Sequence, residues 1–297
     1  MSSHRVALSA AHLAAVLFGL TGIFGALIHA DAGVITFGRA AFAVAALAAF
    51  ALLRGRSLLA GLSAARMRML AATGLLLAAH WVTFFIAVKT GGVAVATLGF
   101  ASFPAFIALL DMLVFRERIG AAEAVLLALV TLGLVLVTPS FDIGNRGTAG
   151  LLWGVASGLS FAVLAMANRR GTRGMEAMQV AFWQNAVVSV ILLPFAAQDS
   201  KLAAPSATDW VYLALLGVFC TGLAHYLFVK SLDGLDARRA GMIIALEPVY
   251  AIACAWWLFG EQPSVRMLAG AALIIVAIVL SARAKAAPAT QALRSDG

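Results

Sequence analysis

A carboxylate and a proline stand side by side within an apolar stretch of the chain, at Glu247 and Pro248. A charged side chain at bilayer depth costs about 2.5–3.5 kcal/mol on insertion scales, so it is seldom kept there without a function. Proline has no N–H to donate to the carbonyl one turn back, which leaves that oxygen free to face a cavity. The pair predicts a polar binding site and a hinge at Pro248 inside a membrane-spanning helix.

The proline motif occurs twice in the chain. Pro104 and Glu117 precede Pro248 and Glu261 by the same 144 residues. The chain therefore contains an internal repeat, and Pro104 is predicted to be the second hinge.

A polar and aromatic stripe also occurs in both halves. His80 and Phe84 are one helical turn apart, and Thr221 and His225 follow them at a shift of 141 residues. Side chains at positions i and i+4 share one face of a helix. One interpretation is that these faces line a cavity, because polar groups inside spans usually face the bundle interior or water. The other is a histidine that is hydrogen-bonded for packing alone.

The remaining site candidates are small hydroxyl residues and one aromatic residue. They are Thr21, Ser102, Ser160 and Tyr250. Thr21 and Ser160 correspond under the repeat, and Tyr250 lies one turn beyond Glu247. Hydroxyl groups often bond back to their own helix, so a purely local role is the alternative for each. Arg39, within reach of the membrane interface, has a structural and a functional interpretation that both stay open.

The composition indicates an integral membrane protein. Hydrophobic residues make up 63% of the 297 residues and charged residues only 11%, whereas soluble domains have about 25% charged residues. Apolar runs of spanning length predict ten helices. They cover residues 7–28, 34–53, 68–88, 93–114, 120–138, 148–168, 176–195, 208–229, 240–259 and 264–282.

The distribution of Lys and Arg predicts the orientation. Sixteen of the 21 lie in segments on one side of the ten spans, four on the other side, and Arg39 lies within a span. By the positive-inside rule both termini are predicted to be cytoplasmic. The net charge of +8 is thereby explained without a nucleic-acid partner.

Five spans per repeat is an odd number, so the second repeat inserts upside down relative to the first. Such inverted repeats are common in secondary transporters, with the site at their interface. The predicted fold is an all-α membrane protein with two inverted five-helix repeats, at 1–144 and 145–283, and a cytoplasmic tail at 284–297. Small residues every four positions on spans 1 and 6 predict close packing of helix backbones.

Motifs for several chemistries are absent from the sequence. It contains no GxxxxGK[ST] phosphate-binding loop and no HExxH motif. We therefore predict no ATP-driven pumping, no catalytic metal, no cofactor and no enzyme activity. One chain contains both repeats, so a monomer is sufficient.

With ten spans and the doubled Pro…Glu motif, the chain resembles the drug/metabolite transporter superfamily, in particular its EamA-type branch. Within that branch it is similar to YddG-type exporters of aromatic amino acids. The resemblance implies that spans 1, 3, 4, 6, 8 and 9 surround a substrate cavity, while spans 5 and 10 support them. It implies an exporter of small metabolites, amino acids first, that works by alternating access.

Three alternatives to this function stay open: export of another metabolite or drug class, a membrane-embedded enzyme, and a channel. Two mechanisms for Glu247 also stay open. In one, the carboxylate binds and releases a proton during transport. In the other, it keeps one protonation state and bonds backbone groups near Pro248, which holds a bend in the helix.

Overall fold

The computed structural model describes residues 3–115, 120–142, 144–172, 174–198, 205–231, 234–235, 240, 243–244 and 246–284. Within these residues the regular structure is helical throughout. The helices are α1 (Ser3–Leu27), α2 (Ala32–Leu53), α3 (Ala64–Gly91), α4 (Val93–Phe100), α5 (Phe103–Phe115), α6 (Ala121–Val137), α7 (Arg146–Gly171), α8 (Ala177–Ala197), α9 (Ala207–Gly217), α10 (Ala224–Ser231), α11 (Glu247–Phe259) and α12 (Val265–Ala284). A π-helical segment, Val218–Leu223, joins α9 to α10.

Helices lie at all ten predicted span positions in the described part of the chain. Seven of them are long and apolar enough to cross a membrane by length and composition. Predicted spans 5 and 10 correspond to two shorter apolar helices, Glu123–Val137 and Val265–Leu280. Large apolar side chains such as Leu132, Val190 and Trp257 are exposed on the outside of the bundle, where lipid would cover them. The predicted all-α membrane architecture is confirmed.

Predicted spans 4 and 9 are interrupted at their prolines. Pro104 is the second residue of α5, and Pro248 is the second residue of α11. Proline is well tolerated in a first helical turn, because the N–H that it lacks would have no helical partner there. Span 4 is therefore two helices joined by a turn at 101–102 rather than the expected continuous helix. Pro248 lies in the first turn of α11, after a turn at Leu246, and residues 241, 242 and 245 are outside the described part of the chain. The role of both prolines as hinges stays a prediction.

The two halves pack through corresponding pairs of helices. α3 lies along α7 as α10 lies along α1, and α4 and α5 contact α7 as α11 contacts α1. The pairs α2–α8 and α6–α12 each join equivalent spans of the two halves. A twofold axis in the membrane plane produces this exchange of equivalent pairs. The packing thus confirms two inverted five-helix repeats.

Small residues bring helix backbones into direct contact in both halves. A Cβ atom on Gly154 of α7 would lie 2.8 Å from the carbonyl oxygen of Ala96 in α4. A Cβ atom on Gly19 of α1 would lie 3.0 Å from the carbonyl oxygen of Glu247. In lipid, where apolar burial does not drive helix association, such close contact is a main source of packing energy.

Candidate substrate-binding cavity

A cavity of about 700 Å³ lies between the two repeats. Its wall includes six of the nine predicted site residues and one predicted hinge. These are Thr21, His80, Phe84, Thr221, His225, Glu247 and Pro248. Sites for small molecules typically have volumes of about 300–1,000 Å³, so the cavity is large enough for a metabolite.

The cavity extends towards one face of the bundle. It reaches Thr172, Met175 and Ala177 at the connection between α7 and α8. We call this face, with the α2–α3, α5–α6, α7–α8 and α10–α11 connections, the cavity face. The opposite face, with the α1–α2, α3–α4, α6–α7, α8–α9 and α11–α12 connections, is the closed face.

Arg39 of α2 lies in the cavity wall and is only 5% exposed. Its Nε donates to Oγ1 of Thr221 at 2.7 Å, and its Cζ lies 3.9 Å from the centroid of the Trp81 ring. Thr221 belongs to the π-helical segment, and its hydroxyl also donates to the carbonyl oxygen of Leu216, five residues earlier. Such wide turns are frequent at functional sites, and this one holds the hydroxyl against the guanidinium.

The predicted site residues do not include Arg39. The sequence placed it within reach of the membrane interface, whereas the structure places it in the cavity wall. The pattern that could have identified Arg39 is a cation two helical turns inside a span. At that depth a charge needs a partner within the bundle.

His80 of α3 is anchored by α7. Its Nδ1 lies 2.8 Å from Oγ of Ser157, and its ring packs 5.1 Å from the rings of Phe100 and Phe161. His80 thus lines the cavity and is also hydrogen-bonded to a neighbouring helix, and its role in binding stays a prediction.

Four phenylalanine rings form an aromatic wall beside His80. Phe100 stacks on Phe103 with centroids 5.3 Å apart, and Phe161 meets both rings edge-on at 5.4 and 5.1 Å. Phe84 meets Phe100 edge-on at 6.1 Å. Tilted and edge-on pairs of this kind are the favoured aromatic geometries. The wall offers a rigid apolar surface for the non-polar part of a ligand.

Amide side chains line the cavity on α7 and α8. Gln184 donates to Oγ1 of Thr73 and to Oδ1 of Asn168, both at 2.8 Å. Asn185 donates to the carbonyl oxygen of Ala181, while its buried Oδ1 has no hydrogen-bond partner among the described residues. A buried acceptor left open in this way is costly unless a ligand or a water molecule satisfies it.

Glu247 of α11 lines the cavity with its side chain only partly buried. Its charge attracts that of Arg39, yet no ion pair joins the two in the described part of the chain. The same residues show no hydrogen bond from Glu247 to backbone near Pro248. They also hold no cluster of three or more His, Cys, Asp or Glu side chains that could bind a metal ion.

The other predicted residues lie outside the cavity wall. Ser102 and Ser160 donate to carbonyl oxygens three residues earlier, at 2.7 and 2.9 Å, as in the local alternative. The hydroxyl of Tyr250 lies 3.2 Å from Nδ1 of His12 on α1. Pro104 lies in the first turn of α5. A binding role for each predicted site residue stays a prediction.

The closed face is held together by contacts between the repeats and within the first one. Lys89 donates to the carbonyl oxygen of Ile28 just beyond the end of α1. The backbone N–H of His29 donates to Oδ1 of Asp209 at 2.8 Å, which joins the α1–α2 connection to the start of α9.

Several proteins that are named as transporters are similar to this chain over most of their length. An uncharacterized transporter of Archaeoglobus fulgidus is 25% identical over 91% of this chain and 94% of its own. The pseudopaline exporter CntI of Pseudomonas aeruginosa is 26% identical over 73% of this chain and 75% of its own. An S-adenosylmethionine uptake transporter of Rickettsia conorii is 26% identical over 68% and 67%, respectively.

A solved crystal structure shares the fold. It covers 96% of this chain and 99% of its own, with a TM-score of 0.66 and 20% sequence identity. The sequence pattern of the EamA-like transporter family matches residues 5–138 and again residues 148–283. With two matches that together cover nearly all the spans, the chain belongs to the EamA-like transporter family, within the drug/metabolite transporter superfamily, and is a multi-pass membrane transporter.

Proposed function

We propose that the chain is a secondary transporter of the bacterial inner membrane that exports small metabolites, amino acids first, by alternating access. The single observation that supports this most is the cavity of about 700 Å³ between inverted repeats, which extends to one face while the other face is closed. A carrier needs a site that one face reaches at a time, at the interface of its repeats.

The proposed orientation rests on the charge distribution. The cavity face has the connections that contain most of the Lys and Arg residues, so we propose that this face is cytoplasmic. A cavity that faces the cytoplasm is positioned to load a substrate for export. The relatives include one named exporter and one named uptake transporter, so the direction of transport differs within this group of proteins.

The wall of the cavity favours a small amphipathic substrate. An aromatic surface lies in the same wall as Arg39, Glu247 and the open amide acceptor of Asn185, which suits a molecule with an apolar part and a polar part. Apolar and aromatic amino acids have this character. Export of pseudopaline-like or other metabolites is the alternative that the named relatives support.

An enzyme and a channel fit the cavity less well. An enzyme needs a nucleophile or general base within reach of a reacting atom, and His80 is held by Ser157 instead. A channel needs a continuous polar path, whereas the described cavity wall does not include Lys89, His29 or Asp209, whose hydrogen bonds join segments at the closed face. We propose no cofactor, no nucleic-acid partner and a functional unit of one chain with domains 1–144, 145–283 and 284–297.

The experiment is uptake by liposomes that contain the purified protein, against a panel of the twenty amino acids, with and without a proton gradient. Saturable flux of at least one amino acid, absent from empty liposomes, is the expected result. Flux of other metabolites alone would refute the amino-acid assignment. A flux that rises linearly with concentration would refute the carrier.

A further inference from the structure

We propose that Arg39 binds the carboxylate of the substrate and Glu247 its amino group, so that the cavity selects zwitterions. The inference rests on the proposed transport function and specifies its substrate class. Three observations support it: the fixed position of Arg39, the donors that Arg39 has left over, and the position of Glu247 in the same cavity wall without a direct ion pair to Arg39 among the described residues.

The guanidinium of Arg39 is held in one place by two contacts. The Nε–H bond to Thr221 uses one donor, and the Trp81 ring at 3.9 Å covers one face of the plane. Thr221 belongs to the second repeat and Arg39 to the first, so the group lies at the interface between them. A guanidinium that is already ordered loses little freedom when it binds a ligand.

Most of the donors on Arg39 have no acceptor among the residues that the structure describes. A guanidinium has five N–H groups, and the bond to Thr221 is the one that Arg39 makes with those residues. Because Arg39 lines the cavity, a ligand there can accept from the remaining N–H groups. The planar pair of terminal nitrogens matches the two oxygens of a carboxylate.

Glu247 complements Arg39 from the other repeat. The two side chains line one cavity and attract each other, but no direct ion pair forms between them in the described part of the chain. A molecule with both charges can fill the gap and satisfy both groups. A molecule with one charge leaves the other group unpaired, which is how such sites reject analogues.

The aromatic wall would then receive the rest of the substrate. Phe100, Phe103 and Phe161 form one continuous apolar surface in the same cavity. Because both charges are placed by the protein, the size and shape of the non-polar part decide which zwitterion fits best.

The test compares three ligands of similar shape and different charge: phenylalanine, phenylalaninamide and 3-phenylpropanoate. Apparent Kd values come from ligand-dependent shifts in the Tm of the purified protein. Arg39→Gln should weaken phenylalanine and 3-phenylpropanoate about ten- to hundredfold and leave phenylalaninamide unchanged. Glu247→Gln should weaken phenylalanine and phenylalaninamide and leave 3-phenylpropanoate unchanged.

Two further variants distinguish a specific loss of binding from a general effect of misfolding. Arg39→Lys keeps the charge without the planar fork and should weaken phenylalanine by less than Arg39→Gln does. Arg266→Gln, which changes an arginine bonded to carbonyl oxygens at the closed face, should change none of the three values.

Equal weakening of all three ligands by Arg39→Gln would overturn the inference, and so would a wild-type protein that binds phenylalaninamide as tightly as phenylalanine. A wild-type protein that binds none of the three would also overturn it. The transport function is judged separately, because liposomes that transport other amino acids or metabolites would leave it standing.

Discussion

The two faces of the bundle differ although inverted copies of one unit build both. At the closed face the α3–α4 corner touches α7 directly, since a Cβ atom on Gly150 would lie 2.5 Å from Cα of Gly91. Glu261 adds a further contact there, because its carboxylate accepts from the backbone N–H of Val93 at 3.4 Å. At the cavity face the corresponding helices leave room for a substrate.

This difference is the one that alternating access requires. If the repeats exchanged their conformations, the contacts would form at the cavity face and the closed face would open. Lys230, which corresponds to Lys89, is exposed at the cavity face. Four experiments test this difference between the faces, and they follow in order of decreasing expected effect.

The largest effect is the sidedness of labelling. Cysteine at Gln198, on the closed face, should react with an impermeant thiol reagent added from the periplasm, and cysteine at Ser57, on the cavity face, should not. Both positions are exposed. The Cys220→Ser/Cys254→Ser protein is the background, and labelling of intact cells is the measurement. The reverse pattern would invert the proposed orientation.

The next effect is on folding. Gly154→Val places a Cβ atom 2.8 Å from the carbonyl oxygen of Ala96 and 3.1 Å from Cα of Gly99, so α4 and α7 must separate. We expect a loss of about 3 kcal/mol of stability, seen as a lower Tm or a lack of folded protein. Gly222→Ala, with no atom nearer than 3.7 Å, is the matched control. A Gly154→Val protein as stable as wild type would contradict the close contact.

A tenfold effect is expected at the closed face itself. Asp209→Ala removes the hydrogen bond that the backbone N–H of His29 donates to Asp209. If this bond stabilises the closed face by about 1.4 kcal/mol, its loss makes opening of that face about tenfold more frequent. A cysteine at His225 should then react about tenfold faster with reagent from that face. Asp142→Ala, in an exposed turn of the same face, is the control. An unchanged rate would show that Asp209 does not hold the face closed.

The smallest effect concerns the interrupted ninth span. Pro248→Ala lets α11 extend backwards through Leu246, which should slow the conformational change about threefold without changing substrate affinity. The maximal uptake rate and the substrate concentration for half-maximal uptake are both measured, because the first should fall and the second should not change. Pro194→Ala, at a proline inside α8, should leave both values unchanged. If Pro248→Ala is equally silent, the hinge prediction fails.

Much of this architecture was predictable from sequence. The spans follow from long apolar runs, and the inverted repeat follows from an odd number of spans with matching motifs. The stripe of His80, Thr221 and His225 was placed in the cavity because polar groups in lipid must face inward.

The rest depends on how each helix is rotated and where it is interrupted. Successive residues differ by about 100° around a helix, and the sequence does not fix how each helix is rotated about its axis. Ser102 and Tyr250 were therefore predicted to line the cavity but lie outside its wall. The π-helical segment, which brings Thr221 to Arg39, follows from tertiary contacts and has no distinct sequence motif. The sequence around Pro248 is equally compatible with a break before the proline and with a bend in a continuous helix.

The central claim is that the cavity binds one substrate and presents it to the two faces in turn. Counterflow tests it most directly, in liposomes that contain the wild-type protein and unlabelled phenylalanine, diluted into a trace of labelled phenylalanine. A carrier predicts that the label rises transiently above its equilibrium level and then falls. A slow, monotonic approach to equilibrium that is proportional to concentration would contradict alternating access and indicate a channel.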